Sequence, residues 1–161
     1  MDFRKDNMRH YKIKKIKLNL NDRKLKLLLA LPLKSKIERN LTPGVLWIHG
    51  GGYAVGSSKM FYFTRVKSLV KKYGSVVIMP DYRLSRKHPY PAALEDCYEA
   101  LKYLKNNADM YGFNKDKIFI GGESAGGGLT AAICMYARDK KEINIAYQMP
   151  IYPMIDHRDT E

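Results

Sequence analysis

The sequence has little cysteine and no long hydrophobic run. Two cysteines in 161 residues exclude the disulfide scaffold of a small secreted protein. The apolar run Leu27–Leu31 is far too short to cross a bilayer, and residues 1–20 contain no secretory signal. We therefore expect a cytoplasmic protein without a membrane span.

Acidic residues are also few. The chain has 29 Lys and Arg against 16 Asp and Glu, a net charge of +13, and +9 of this charge lies in residues 1–36. Lysines that alternate with apolar residues are typical of the solvated face of an edge strand, where they discourage aggregation. A polyanion-binding surface is the alternative, but Tyr11 is the one aromatic residue among these lysines. We expect no nucleic-acid binding.

Local patterns predict alternating strands and helices. Period-two alternation on both sides of Asn21-Asp22 indicates an antiparallel hairpin in the basic N-terminal part, residues 1–43. Beyond it, short apolar runs typical of strands buried on both faces alternate with helical patterns. The predicted strands are Val45–Ile48, Val76–Met79, Lys117–Ile120 and Ile143–Met149, and the predicted helices are Met60–Tyr73, Ala92–Tyr111 and Leu129–Arg138. The order predicts a single α/β domain over residues 1–161, with a doubly wound, mostly parallel sheet in its core, residues 44–161.

The strongest local motif is the pentapeptide Gly122-Glu123-Ser124-Ala125-Gly126, between a predicted strand and a predicted helix. G-x-S-x-G in that context predicts a nucleophile elbow, a sharp turn that holds the serine hydroxyl above the edge of the sheet. The N-terminus of the following helix favours developing negative charge. A phosphate-binding glycine loop is the alternative, and the absence of G-x-x-x-x-G-K-[ST] disfavours it.

A second motif, His49-Gly50-Gly51-Gly52, follows the first buried strand. Acyl transfer builds negative charge on the attacked carbonyl oxygen, and two or three N–H groups directed at one point stabilise it. Consecutive glycines let main-chain N–H groups turn inward and leave space for a substrate. The segment therefore predicts an oxyanion loop, with a plain glycine turn as the alternative.

With these motifs and three further segments, the sequence resembles the hormone-sensitive-lipase-like esterases of the α/β-hydrolase fold. The resemblance runs from about Gly44 to Asp156. The segments that carry it are His49–Tyr53 with Gly56-Ser57, Asp81–Leu84, His88–Leu94 with Asp96, Gly122–Gly127 and Tyr152–Asp156. It implies an α/β-hydrolase domain that hydrolyses a small carboxylic ester, usually of short acyl chain, without a metal or cofactor.

The resemblance also assigns roles to residues. Ser124 would be the nucleophile, and the N–H groups of Gly51, Gly52 and Ala125 would form the oxyanion hole. Residues of the two motifs that would support this site are His49, Gly50, Gly122, Glu123 and Gly126. Motif positions that would hold nearby loops, or alternatively touch substrate, are Asp81, Arg83, His88 and Asp96. Side chains that would line the substrate site, or alternatively pack in the core, are Tyr53, Met60 and Phe61.

A serine nucleophile needs a base and an orienting acid, which follow it in this fold in the order Ser, Asp/Glu, His. The family places both after later strands, whereas this sequence is predicted to end just past the sixth strand. Asp156 as acid and His157 as base are the local alternatives, but adjacent residues in extended chain point to opposite sides. We expect a truncated domain without the triad acid and His, and little activity from this chain.

Two further expectations follow from a truncated sheet. An open sheet edge favours self-association. A non-catalytic α/β-hydrolase-fold binding protein, or a truncated pseudoenzyme, is the alternative to an esterase, because the same fold supports both.

Overall fold

The computed structural model describes residues 10–33, 37–38, 40–64 and 66–156. Within them, a six-stranded sheet is flanked by helices. The strands are β1 (Tyr11–Asn19), β2 (Lys24–Pro32), β3 (Pro43–Ile48), β4 (Val76–Pro80), β5 (Asn114–Glu123) and β6 (Tyr147–Ile151), and the helices are α1 (Val66–Tyr73), α2 (Ala92–Asn106), α3 (Ala108–Tyr111) and α4 (Ala125–Lys140), with a 3₁₀ helix at Ser58–Tyr62. The strand order is β1-β2-β4-β3-β5-β6.

The predicted N-terminal hairpin is confirmed. β1 pairs with β2 in antiparallel register, with Leu18 opposite Leu25, and β2 pairs antiparallel with β4. The turn is closed by the N–H of Leu20, which donates to the carbonyl oxygen of Arg23 at 2.8 Å. β3, β4, β5 and β6 are all parallel, so the sheet is mixed, as the sequence predicts. Residues 1–9 and 34–36 of the basic N-terminal part lie outside the described residues.

Both faces of the sheet carry apolar side chains, so helices cover both. One face packs against α2 and α4, whose buried side chains include Leu101 and Ile133. The other face packs against α1 and the 3₁₀ helix through Val66, Val70 and Phe61. Fully burying an aliphatic or aromatic side chain of this size stabilises the fold by about 1.5–3 kcal/mol.

Several predicted boundaries differ from the structure. β5 and α4 extend at both ends beyond the predicted strand Lys117–Ile120 and the predicted helix Leu129–Arg138. The predicted helix Met60–Tyr73 is a 3₁₀ helix followed by the shorter α1. The predicted helix Ala92–Tyr111 is interrupted at Asn107, whose backbone leaves helical geometry and whose side-chain amide donates to the carbonyl oxygen of Tyr103 at 2.8 Å. The last strand starts at Tyr147 rather than Ile143, because Ile143 packs into the core beside α2 and α4 instead of pairing with β5.

The order of the parallel strands creates a crevice at their carboxyl ends. The chain passes from β3 to β4 on one side and then returns to place β5 on the other side of β3. Ile48 at the end of β3 lies in register with Gly122 near the end of β5. In such sheets ligands bind where the strand order reverses, and both glycine-rich motifs lie at this point.

Candidate active site

Ser124 occupies the sharp turn between β5 and α4. Its backbone has φ +55° and ψ −118°, in the positive-φ region that L residues other than glycine rarely adopt. A Cβ on Gly122 would lie 2.8 Å from the carbonyl oxygen of Ile48, and a Cβ on Gly126 would lie 2.6 Å from that of His49. The turn therefore fits against the end of β3 because both flanking positions are glycine.

Main-chain hydrogen bonds fix this turn. The N–H of Ser124 donates to the carbonyl oxygen of Ile151, and the carbonyl oxygen of Ser124 accepts from Gly128 and Met154, each at 3.0 Å. The segment after β6 thus holds the turn from one side. Ala125 begins α4 and is fully buried, so the free N–H groups of this helix start beside the serine. Partial positive charge at that end favours an anion there.

The glycine loop after β3 lies next to Ser124. A Cβ on Gly50 would lie 3.4 Å from the Cβ of Ser124. Gly51 and Gly52 have φ of +120° and +59°, which glycine adopts without strain. The carbonyl oxygen of Gly51 accepts from the N–H groups of Ala54 and Val55, at 3.1 and 3.0 Å. A Cβ on Gly52 would meet nothing within 4 Å, so open space adjoins this position.

The buried side chain of His49 supports the glycine loop. It is 2% exposed and stacks on the ring of Tyr82, with ring centroids 4.2 Å apart. Nδ1–H donates to the carbonyl oxygen of Gly50 at 2.8 Å, while Nε2 has no hydrogen-bond partner among the described residues. The Tyr82 hydroxyl donates to the carbonyl oxygen of His49 at 3.0 Å. Burial lowers the pKa of His49, so the ring stays neutral and supports the loop rather than carrying protons.

Asp81 and Asp96 fasten the neighbouring segments. Asp81 accepts a hydrogen bond from the N–H of Ser58 at 2.6 Å, which ties the end of the glycine loop to the end of β4. Asp96, 1% exposed on α2, accepts from Nε of Arg23 at 2.8 Å and from N–H and Nε of Arg83 at 2.9 and 3.0 Å. The sequence did not single out Arg23, because nothing local connects a hairpin turn with a carboxylate 73 residues away.

A cavity of about 300 Å³ opens beside the glycine loop. Its lining is mainly apolar and includes Tyr53, His88, Tyr90, Leu94, Leu129 and Ala132. The Tyr53 hydroxyl donates to the carbonyl oxygen of Met154 at 2.7 Å, so this side chain links the loop to the segment that holds Ser124. Of the other two expected lining residues, Phe61 is fully buried in the core and Met60 is half-buried without lining this cavity.

No side chain in residues 10–33, 37–38, 40–64 and 66–156 hydrogen-bonds to the Ser124 hydroxyl. His49 is occupied with Gly50, and His88 is exposed on the rim of the cavity. Glu123, adjacent to the serine, accepts from the Tyr152 hydroxyl at 3.1 Å. His157 lies outside the described residues, and Asp156 is exposed.

The described residues contain no cluster of three or more His, Cys, Asp or Glu side chains arranged to hold a metal ion. In the same part of the chain, none of the helices combines the length and the apolar character needed to cross a membrane.

The fold and the turn at Ser124 define an α/β hydrolase, and comparisons with known proteins agree. Residues 45–161 match the family model described as the alpha/beta hydrolase fold. An arylesterase of Saccharolobus solfataricus is 34% identical over 141 residues, and arylacetamide deacetylase of Bos taurus is 32% identical over 126 residues. The solved esterase of Pyrobaculum calidifontis superposes with a TM-score of 0.77 at 34% identity. The chain belongs to the hormone-sensitive-lipase-like esterases of the α/β-hydrolase fold.

The chain spans less than half the length of these relatives. The matched segments cover 87% of this chain but 44% of the Saccharolobus arylesterase, and 75% of this chain but 32% of the bovine deacetylase. The superposition with the Pyrobaculum esterase covers 88% of this chain and 45% of that protein. The strands and helices described above therefore correspond to part of the relatives' fold.

Proposed function

We propose that this chain carries the nucleophile and the oxyanion hole of a serine carboxylic-ester hydrolase. Ser124 is the nucleophile, and the N–H groups of Gly51, Gly52 and Ala125 bind the oxyanion. The observation that carries the proposal is the strained Ser124 backbone, at φ +55°, beside the glycine loop at the point where the strand order reverses. Backbone strain of this kind costs about 1–3 kcal/mol and concentrates at functional sites.

The chemistry of the proposed site is acyl transfer. The Ser124 oxygen attacks the ester carbonyl carbon and loses its proton to a general base, and the carbonyl oxygen becomes an oxyanion. Collapse of this intermediate breaks the bond to the alcohol, which leaves with a proton, and water then hydrolyses the acyl-serine. Each oxyanion-hole donor contributes about 10²–10³ in kcat. The start of α4 adds partial positive charge at the same place.

We further propose that the base and its acid partner are not among the described residues. The described part of the chain offers Ser124 no hydrogen-bonded histidine, and an unassisted serine hydroxyl is a weak nucleophile. Loss of the histidine from a serine triad lowers kcat by about 10⁶, and the oxyanion hole and binding retain about 10³–10⁴ over water. The isolated 161-residue chain is therefore expected to hydrolyse esters slowly.

The substrate we propose is a small, uncharged ester of short acyl chain. The cavity beside Tyr53 has a volume of about 300 Å³ and a mainly apolar lining, which suits one acyl or alcohol group. The relatives described as arylesterase and arylacetamide deacetylase support an aromatic or acetyl group on the substrate. Charged esters would have to desolvate their charge in this cavity and are expected to react more slowly.

Hydrolysis of p-nitrophenyl acetate and p-nitrophenyl decanoate by the purified chain tests the proposal. We expect slow turnover, faster with acetate, that is lost in Ser124→Ala and unchanged in the control Ser68→Ala. Turnover at the rate of a complete esterase would contradict the proposal that the base is not among the described residues. Equal turnover by Ser124→Ala would contradict the proposal that Ser124 is the nucleophile. His157→Ala is expected to leave the rate unchanged.

The alternative function is ligand binding without catalysis. The Ser124 hydroxyl has no base beside it in the described residues, and this observation favours the alternative. It predicts saturable binding of a p-nitrophenyl ester with no acylation of Ser124 in any state of the protein. Formation of an acyl-serine at this position would exclude it.

A further inference from the structure

A second cavity, of about 410 Å³, is lined by residues of β1, β2 and the 3₁₀ helix, together with Ser57 and Asp81. Four lysines line it: Lys15, Lys17, Lys26 and Lys59. We call this the basic cavity. None of the four has an ion-pair partner in the part of the chain that the structure describes. Within the described residues, no salt bridge neutralises these four charges.

Strand register explains why three of these lysines converge. Lys15 and Lys17 lie on the same face of β1, and Lys17 pairs with Lys26 of β2. Lys15 pairs with Leu28, which packs in the same apolar cluster as Phe61 of the 3₁₀ helix. This face of the hairpin is therefore apolar where the helices cover it and basic beyond their edge.

The 3₁₀ helix completes the wall with polar groups. It contributes Lys59 and the hydroxyl-bearing residues Ser58 and Tyr62, and Ser57 precedes it. Asp81 is the one carboxylate among the lining residues, and it already accepts a hydrogen bond from the N–H of Ser58 at 2.6 Å. Four ammonium groups against one carboxylate leave a net charge of about +3 around the basic cavity.

This combination selects a chemical class of ligand. Ammonium groups and hydroxyls are donors, and a phosphate offers several acceptor oxygens and a double negative charge. Like charges that share a cavity repel one another, and an anion among them removes this repulsion. We propose that the basic cavity binds a phosphate-type oxyanion, whether as a free phosphate compound or as the headgroup of an anionic lipid.

The site is separate from the proposed ester site and does not depend on it. It is connected to the glycine loop through Ser57 and Gly56, and a Cβ on Gly56 would lie 2.5 Å from Nδ1 of His49. The side chain of His49 therefore touches the residue that precedes the wall of the basic cavity. Neither Ser124 nor the cavity beside Tyr53 contributes to the phosphate site.

Binding of inorganic phosphate, measured by equilibrium dialysis at constant ionic strength, tests the proposal. The site variant is Lys15→Gln/Lys17→Gln, and the matched control Lys12→Gln/Lys14→Gln removes the same charge from the opposite face of β1. A unit charge about 4 Å from an anion in water contributes about fivefold to a binding constant. We expect one saturable site per chain whose Kd rises at least tenfold in the site variant and less than threefold in the control. Circular dichroism compares the folding of both variants with the parent.

A gain-of-function variant keeps the test independent of folding. Asp81→Asn removes the one carboxylate of the basic cavity and retains an oxygen for the Ser58 N–H, so phosphate is expected to bind about fivefold more tightly. Vesicles of phosphatidylcholine with and without phosphatidate form the second arm. Binding to phosphatidate vesicles alone, lost in the site variant and kept in the control, identifies a lipid headgroup, and saturable phosphate binding identifies a free ligand. No binding in either arm, or equal loss in both double variants, would overturn the proposal.

Discussion

Two adjacent glycines in the proposed oxyanion loop, Gly51 and Gly52, give a prediction that separates effects on folding from effects on chemistry. Alanine at Gly51 would place its Cβ 2.8 Å from the carbonyl carbon of Val55 and closer still to its oxygen, and φ is +120°. Alanine at Gly52 would meet nothing within 4 Å, and its φ of +59° lies in the small left-handed region that L residues can enter. The two substitutions add the same methyl group to neighbouring positions, so each is the control for the other.

The structure gives different magnitudes for the two variants. Left-handed backbone costs an alanine about 1–2 kcal/mol, so Gly52→Ala should lower the free energy of unfolding by about that amount. Gly51→Ala combines a strained backbone with a clash against main-chain atoms, each worth about 1–3 kcal/mol, so a loss of at least 3 kcal/mol is expected. Because Gly52 adjoins open space in the loop proposed to bind the oxyanion, a methyl group at this position would instead obstruct the substrate, and we expect acylation to slow by about 10²-fold.

Urea unfolding followed by Trp47 fluorescence measures the first effect. Trp47 is the one tryptophan of the chain, is 2% exposed and lies on the strand that leads into the loop. Acylation of Ser124 by p-nitrophenyl acetate measures the second effect. If Gly51→Ala is as stable as the parent, the loop does not have this geometry. If Gly52→Ala folds and reacts as fast as the parent, Gly52 has no part in an oxyanion hole.

Three further predictions concern stability and association. Asp96→Ala removes the buried carboxylate that Arg23 and Arg83 share and leaves them only their more exposed partners Asp22 and Glu95, so it should lower the free energy of unfolding by about 1.5–3 kcal/mol in urea. The control Asp22→Ala removes an exposed partner of Arg23 and should cost less than 1 kcal/mol; equal losses would refute a stabilising role for Asp96. Because burial lowers the pKa of His49, this residue takes up a proton in the unfolded chain below a pH of about 6.5, before it does so in the folded chain. The contribution of His49 to the free energy of unfolding is therefore complete above that pH. Below it, the contribution falls by about 1.4 kcal/mol per pH unit, down to the folded pKa. Unfolding at pH 7.5 and 5.5 should show this component in the parent and not in His49→Gln. The purified 161-residue chain should also self-associate, because Tyr147 on β6 is 56% exposed and Ile155 just beyond it is 75% exposed. A monomer by light scattering at micromolar concentration would contradict this.

The fold was predictable where local signals agree with the tertiary structure. Period-two alternation around Asn21-Asp22 gave the hairpin, and continuous apolar runs gave the parallel strands. The ends of strands and helices were less predictable, because they depend on individual hydrogen bonds that the periodicity of apolar residues does not reveal. Asn107 interrupts an otherwise helical pattern through one bond from its side chain to the main chain of Tyr103.

In the candidate site too, features with a local sequence signal were predictable and contacts between distant residues were not. The two glycine motifs indicated the tight turn at Ser124 and the glycine loop beside it, because their glycines stand where a Cβ would clash. The hydrogen bond from Arg23 to Asp96 joins residues 73 positions apart in the sequence, and no local pattern indicates such a contact. The basic cavity is a third case. Alternation placed Lys15 and Lys17 on one face, but the closing wall of Ser58 and Lys59 is visible only in the folded chain.

Reaction of the chain with a fluorophosphonate, followed by mass spectrometry, tests the central claim most directly. A serine beside the proposed oxyanion hole, with no base among the described residues, should form a single adduct slowly, and added imidazole should accelerate the reaction by acting as a base. We expect one adduct, located on Ser124 by peptide mapping, formed faster with imidazole and absent in Ser124→Ala. An adduct on another residue, or the same labelling rate in Ser124→Ala, would contradict the account.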